Sequence, residues 1–156
     1  MKNVLIFLFS MALPFFTAFA GSAVTTPSIR TWYAELNKPW FSPPNWVFGP
    51  VWTLLFVLMG IALFLVLRQG LQKEKNRVAF AMFVFQLVLN FLWSFLFFFL
   101  HQPLFAFLDI VALWISIVVT IKLFQKVSVF ASRLLWPYLA WVSFASLLNL
   151  AIVLLN

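Results

Sequence analysis

The side chains that could do chemistry in this chain are amides, one acid and several indoles that recur at helical spacing within long apolar runs. Gln86, Asn90 and Ser94 follow one another every four residues, and Trp93 lies seven residues after Gln86. At 3.6 residues per turn, this spacing places all four on one face of a helix. Amides and an indole on one face can hold a ligand by hydrogen bonds and ring stacking.

Similar faces recur in three other apolar runs. They pair Asp109 with Ser116 and Thr120, Trp141 with Ala145, Leu148 and Asn149, and Trp52 with Phe56. Polar groups in hydrocarbon are costly when unpaired, so each face is expected to point into protein or into a cavity. Two interpretations stay open for them, hydrogen bonding between helices and contact with a ligand. Asp109, the only acid in an apolar setting, is either a buried structural acid or a pocket group.

No combination of residues predicts a reaction. Cysteine is absent and His101 is the only histidine, so neither a metal cluster nor a bound cofactor is expected. The chain also offers no paired carboxylates, no nucleophile with a base and no phosphate-binding glycine loop. These absences favour a binding protein whose pocket lies in a helix bundle and holds an apolar or planar ligand by burial and stacking.

The elements that position these residues are membrane-spanning helices. The chain has 156 residues, of which 65% are hydrophobic and 8% charged, and its mean hydropathy is +1.09. Such a composition lies outside the range of soluble globular proteins, so the lipid bilayer is an expected partner. We predict one all-α domain over residues 1–156, an integral membrane bundle of five transmembrane helices. The predicted helices cover about 4–23, 46–67, 78–100, 104–124 and 134–155.

The first apolar run and the segment after it carry their own predictions. Val4–Ala20 is long enough to span a membrane, but Ala18-Phe19-Ala20 before Gly21 also fits the cleavage site of a signal peptide. Gly21–Asn45 is more polar and predicts a long loop between helices 1 and 2. Prolines within Lys38–Pro44 restrict the backbone, which predicts an extended turn that acts as a stiff lid.

The basic residues predict the orientation in the membrane. The net charge of +7 would favour nucleic acid in a soluble protein, but here it is a topology signal, and no nucleic-acid partner is expected. Eight Lys and Arg residues fall on one side of the predicted helices, and only Arg30 and Lys38 fall on the other. The positive-inside rule therefore predicts a cytoplasmic N-terminus and an outer C-terminus, with the lid on the outer face. The sequence does not indicate which membrane hosts the protein.

Four motifs in order along the chain resemble the TspO/MBR family, also known as the translocator protein, tryptophan-rich sensory protein or peripheral benzodiazepine receptor family. They are WYAELNKP at Trp32–Pro39, PPNWVFGPVWTLLFVLMG at Pro43–Gly60, LNFLWS at Leu89–Ser94 and PYLAWVSFASLLN at Pro137–Asn149. The resemblance implies a five-helix membrane bundle, commonly a homodimer, that binds ligands near its long first loop. It also favours retention of the first helix.

The resemblance further implies ligands and pocket residues. The family binds porphyrins and haem precursors, cholesterol and synthetic benzodiazepine ligands. Carried over by motif, and with Phe56 added from the helical spacing, the expected ligand-binding residues are Tyr33, Trp52, Phe56, Asn90, Trp93, Trp141, Ala145 and Asn149. We therefore predict a receptor or sensor for tetrapyrroles. The alternative is an enzyme that degrades porphyrin in light, an activity reported for some bacterial members. In that case Trp52 and Trp141 would be the catalytic residues.

Two departures from the family pattern bear on these expectations. The usual KPxWxPP motif is KPWFSPP here, so Phe41 stands where a tryptophan is usual and Trp40 lies one place earlier. The C-terminal LLNLAIVLLN lacks the Tyr and basic residue of the proposed cholesterol motif, which disfavours cholesterol as the ligand.

A third hypothesis is a small transporter in which Asp109 relays protons.

Overall fold

Five helices, each long and apolar enough to cross a membrane, form the fold. The computed structural model describes residues 1–156. The five candidate spans are Lys2–Ile29, Asn45–Leu67, Glu74–Phe99, Pro103–Gln125 and Val129–Leu155. The predicted all-α bundle of five transmembrane helices is confirmed.

The chain forms seven α-helices and one π-helical turn. The helices are α1 (Lys2–Ile29), α2 (Trp32–Glu35), α3 (Asn45–Leu67), α4 (Glu74–Ser94), α5 (Pro103–Gln125), α6 (Val129–Arg133) and α7 (Trp136–Leu155). The π-turn Phe95–Phe99 continues α4. The third span begins four residues before the predicted position 78, and the fifth is divided into α6 and α7.

Helix α1 is longer than the sequence predicted. The predicted helix ended near residue 23 and a loop was expected from Gly21, but the helix continues to Ile29. Its polar residues do not end it, because their hydroxyls find partners. The Ser22 and Thr26 hydroxyls lie 3.3 Å apart, and Ser28 Oγ donates to the Phe98 carbonyl at 2.6 Å. The loop prediction was therefore wrong for the last turns of α1.

The main core lies between α3, α4, α5 and α7. Met59 and Leu63 of α3 are fully buried there, and Phe83 stacks on Phe124 with ring centroids 5.6 Å apart. Helix α1 packs against α3 at Gly60, where an added Cβ would lie 3.2 Å from the Ser10 carbonyl oxygen. Close approach of two backbones at a small residue is a common way for helices to associate in membranes, where burial of apolar surface gives little driving force.

A second apolar cluster lies at the end of the bundle that carries α2. Its buried members are Tyr33, Phe97, Phe98, Ala106, Leu148 and Ile152. Leu36 and Phe41 pack against this cluster. Both belong to the non-helical segment 36–44, which begins two residues before the predicted lid, and we call this whole segment the lid. The lid therefore covers the end of the bundle rather than extending away from it.

Contacts with the turn before α5 and with the end of α7 hold α2 and the lid in place. The Trp32 ring stacks on His101 with centroids 4.4 Å apart. His101 adopts φ 54°, a left-handed conformation that closes the turn after the π-turn. Asn156 Nδ2 donates to the Asn37 carbonyl at 3.0 Å, and the Asn37 N–H donates to Asn156 Oδ1 at 2.9 Å. These contacts tie the lid to the end of α7.

Candidate functional site

A cavity of about 660 Å³ lies between α1, α3, the π-turn end of α4 and α7, with α2 at one end. Its size falls within the range of about 300–1,000 Å³ that is usual for small-molecule sites. The walls come from elements that are far apart in sequence, so the cavity exists only once the bundle has assembled.

Aromatic rings line the walls contributed by α3 and α4. Trp52 stacks on Phe56 with centroids 5.5 Å apart, and Trp93 stacks on Phe97 at 5.4 Å. Both pairs follow from the helical spacing of four residues, which brings successive rings onto one face. The two stacked pairs present broad aromatic surfaces, which favour a flat apolar ligand.

Amide side chains between these rings are engaged in bonds between helices. Trp93 Nε1 donates to Asn149 Oδ1 at 2.9 Å, linking α4 to α7. Asn90 Nδ2 donates to the Tyr138 hydroxyl at 3.0 Å, and that hydroxyl donates to Gln86 Oε1 at 2.8 Å. The sequence left two roles open for such residues, hydrogen bonding between helices and contact with a ligand. Asn90, Trp93 and Asn149 join helices and also form part of the cavity wall, so their positions are compatible with both roles.

Sequence reasoning missed the wall formed by α1. This wall carries a row of hydroxyl groups, and neighbouring helices add two more. The serine and threonine residues that line the cavity are Thr17, Ser22, Thr25, Thr26, Thr53 and Ser94. The signal was present as Thr17, Gly21 and Thr25, small residues spaced by four, but it was obscured because a loop was expected from Gly21.

Tyr33 closes the cavity at the end near the lid. It lies in α2 and is 5% exposed, and its ring is part of the cavity wall. Burial raises the pKa of the Tyr33 phenol above its ordinary value of 10, so the group stays neutral at physiological pH. The Lys38 ammonium lies over this ring, 4.7 Å from its centroid.

No charged side chain lines the cavity. Its lining consists of aromatic, aliphatic, hydroxyl, amide and glycine residues, and Asp, Glu, Lys, Arg and His are all absent from it. A ligand inside is therefore held by apolar contact and by neutral hydrogen bonds. The arrangement offers no group that could serve as a general acid or base with an ordinary pKa near neutrality.

The structure brings seven of the eight predicted ligand-binding residues to this one cavity. They are Tyr33, Trp52, Phe56, Asn90, Trp93, Ala145 and Asn149. Trp141 is the exception. Its ring packs against Phe48 at 5.8 Å and Phe144 at 5.5 Å, one layer behind the wall, and its buried Nε1 has no hydrogen-bond partner.

Asp109 also lies outside the cavity. It is 8% exposed on α5, a helix that contributes no lining residue, and its buried Oδ2 has no hydrogen-bond partner. Ser116 and Thr120 of the same face bond to carbonyls of their own helix, Leu113 and Ser116. Helical spacing identified a buried face of α5 but did not indicate which neighbour covers it.

Comparison with known proteins identifies the family of this chain. Residues 10–155 match the TspO/MBR family. The chain is 49% identical to the tryptophan-rich protein TspO of Archaeoglobus fulgidus over 154 residues, covering 99% of both chains. It is 38% identical to the human translocator protein, covering 87% of this chain and 81% of that one. It is 35% identical to the tryptophan-rich sensory protein of Cereibacter sphaeroides, covering 90% and 89%. The chain is a multi-pass integral membrane protein that belongs to the TspO/MBR family.

Proposed function

We propose that this protein is a membrane receptor or sensor that binds tetrapyrroles such as protoporphyrin and haem precursors in the cavity between α1, α3, α4 and α7. Residues 1–156 would act as one ligand-binding domain. The observation that carries the proposal is the cavity itself, about 660 Å³ in volume and walled by the stacked pairs Trp52–Phe56 and Trp93–Phe97.

The chemistry of the walls supports a large planar ligand. Aromatic faces bind flat rings through burial and offset stacking, in addition to the area removed from water. The hydroxyls of α1 offer hydrogen bonds along one side of the cavity. The names of the relatives agree with a sensory or translocating role, since two are called a tryptophan-rich sensory protein and a translocator protein.

Fluorescence titration tests the proposal. Protoporphyrin added to the purified protein in detergent should quench tryptophan emission in a saturable way. Trp52→Ala should weaken binding about tenfold, because the variant loses one ring of the stacked wall. Quenching that rises linearly without saturation would contradict the proposed site.

A matched tryptophan provides the control. Trp114 lies on α5, is 39% exposed and is absent from the cavity wall. Trp114→Phe should reduce the total emission but leave the dissociation constant for protoporphyrin unchanged. An equal loss of affinity in both variants would indicate that Trp52→Ala acts through general destabilisation instead.

Degradation of porphyrin and transport remain the alternative functions. Trp52 lines the cavity, whereas Trp141 lies behind Phe48, so the two indoles proposed for degradation do not share one surface toward a ligand. The transport hypothesis relied on Asp109, which lies outside the cavity. Binding without turnover is therefore favoured over both.

Two further properties belong to the proposal. We place the N-terminus in the cytoplasm and the C-terminus outside, because the basic residues concentrate at the bundle end opposite the lid.

We also propose a homodimer, as the family resemblance implies. Cross-linking in native membranes, followed by measurement of mass, tests the dimer, and a monomer at all protein densities would exclude it.

A further inference from the structure

We propose that Lys38 is the carboxylate-binding group of this protein, and that it selects ligands with an acidic arm over neutral ligands of the same shape. This inference rests on the proposed function, because it takes the ligand body to be an apolar macrocycle in the cavity. Protoporphyrin carries two propionate arms and so belongs to this class of ligand.

The uncharged walls offer no compensating charge to an acidic ligand. A carboxylate moved from water into a site without a compensating charge loses its hydration and gains little in return. Since no basic side chain lines the cavity, an acidic arm must project beyond the walls. It will be favoured where it meets a cation just outside them.

Lys38 is placed to meet such an arm. Its Nζ lies 4.7 Å from the centroid of Tyr33, a ring that forms the cavity wall at the lid end. The ammonium also donates to the carbonyls of Ala34 and Leu36, both at 3.3 Å. None of these three partners carries a formal negative charge, because burial keeps the Tyr33 phenol neutral. The charge of Lys38 is therefore available to a ligand.

The backbone around Lys38 is fixed before any ligand arrives. Its neighbour Asn37 is bonded through both main-chain groups to Asn156, at 2.9 Å and 3.0 Å. Pro39 follows directly and restricts φ on the other side. A group held in this way loses less conformational entropy on binding than a free surface lysine.

Other ionisable residues at this end of the bundle are less suitable. Arg30 is exposed at the end of α1 and does not line the cavity. The ring of His101 is already stacked on Trp32, and its Nε2 lies 3.4 Å from Ser28 Oγ. Glu35 is exposed on α2 and would repel an acidic arm. Lys38 is thus the cation that directly contacts a cavity residue.

A pair of ligands that differ in charge tests the inference. Protoporphyrin and its dimethyl ester are titrated against the full-length protein in a neutral detergent at low ionic strength. The wild type should bind the free acid about three- to tenfold more tightly than the ester, as expected for one charge-assisted contact. Lys38→Met should remove this preference and leave the affinity for the ester unchanged, whereas Lys38→Arg should retain the preference.

Arg30→Met is the matched control, because it removes, from the same end of the bundle, an exposed cation that does not line the cavity, and it should keep the wild-type preference. An unchanged preference in Lys38→Met overturns the inference but leaves the proposed function intact. Loss of both ligands in Lys38→Met also overturns it, since the lysine would then merely hold Tyr33 in place. If the wild type binds neither ligand, the proposed function fails and this inference fails with it.

Discussion

The indole of Trp93 donates a hydrogen bond of 2.9 Å to Asn149, and Asn149 in turn donates one of 2.9 Å to the carbonyl of Pro103. Three spanning segments meet in this chain of bonds, because Trp93 lies on α4, Asn149 on α7 and Pro103 at the start of α5. Trp93 and Asn149 also line the cavity. The same contact therefore holds the helices together and shapes the wall of the site.

Asn149→Leu should destabilise the protein by about 1 kcal/mol, because the partly buried Trp93 N–H and the Pro103 carbonyl both lose their partner. Thermal unfolding in detergent, followed by circular dichroism, measures this as a lower Tm. The double variant Trp93→Phe with Asn149→Leu should recover part of the loss, since no indole N–H is then left unpaired.

Ser146→Ala provides the control for this prediction. Ser146 lies on the same helix, but its hydroxyl bonds only to the Val142 carbonyl of its own helix at 2.7 Å. Its removal should change the Tm little. A loss equal to that of Asn149→Leu would show that α7 tolerates no substitution here, and the importance of the bond to α4 would be refuted.

The two indoles suggested for porphyrin degradation should behave differently. If illuminated protoporphyrin is converted to a product with a changed absorption spectrum, Trp52→Phe should slow the conversion more than Trp141→Phe. The reason is that Trp52 lines the cavity, while Trp141 lies behind Phe48. Absorption spectra recorded during illumination follow the reaction. Equal slowing by both variants would contradict this assignment, and an intact porphyrin in the wild type would exclude the enzyme.

Phe41 and Trp40 form a natural matched pair in the lid. Phe41 packs against Phe144 of α7 with centroids 6.3 Å apart, whereas Trp40 is 95% exposed. Phe41→Ala should loosen the lid, with a cost of about 1–2 kcal/mol from the burial that is lost. Trp40→Ala should leave the lid in place.

Hydrogen exchange of the lid amides followed by mass spectrometry distinguishes the two variants, and faster exchange is expected in Phe41→Ala alone. The opposite order would mean that Trp40, not Phe41, substitutes for the tryptophan that the family pattern usually carries at position 41.

Gly60 should be intolerant of larger side chains. A Cβ at this position would meet Met11 Sδ, and it would lie 3.2 Å from the Ser10 carbonyl oxygen and 3.3 Å from Met11 Cα. The methionine tip can move but the backbone cannot, so Gly60→Val should cost about 1–3 kcal/mol by overpacking. Gly49→Ala is the control with the opposite sign, because nothing lies within 4 Å of the added Cβ and alanine favours a helix. Thermal unfolding of both variants measures the difference. Gly60→Val should have a lower Tm than the wild type, and Gly49→Ala should be no less stable than the wild type.

The orientation can be tested cleanly because the chain has no cysteine. Arg30→Cys should react with a membrane-impermeant maleimide in intact cells, and Lys73→Cys should react only after the membrane is made permeable. This follows from the positive-inside rule, which places the Arg68–Arg77 segment in the cytoplasm. Reversed labelling would place the lid on the cytoplasmic face.

Local sequence information determined much of the fold. Uncharged runs of more than 20 residues define spanning helices whatever their neighbours, because the bilayer leaves no other way to satisfy the backbone. The spacing of Gln86, Asn90 and Trp93 likewise fixed one face of α4, and the motif resemblance supplied Tyr33. The same reasoning failed at the end of α1. Polar residues there predicted a loop, but their hydroxyls find hydrogen-bond partners and the helix continues to Ile29.

What only the tertiary structure decided is which faces meet. Helical spacing gives a direction around a single axis, but whether that direction leads to a cavity, to lipid or to another helix depends on the packing of all the others. Trp141 and Asp109 therefore lie on buried faces as predicted yet outside the cavity. The hydroxyl wall of α1 also required the assembled bundle, because only the packing of α1 against its neighbours turns that face toward the cavity. The position of Lys38 over Tyr33 depends on the irregular backbone of the lid, which no helical spacing predicts.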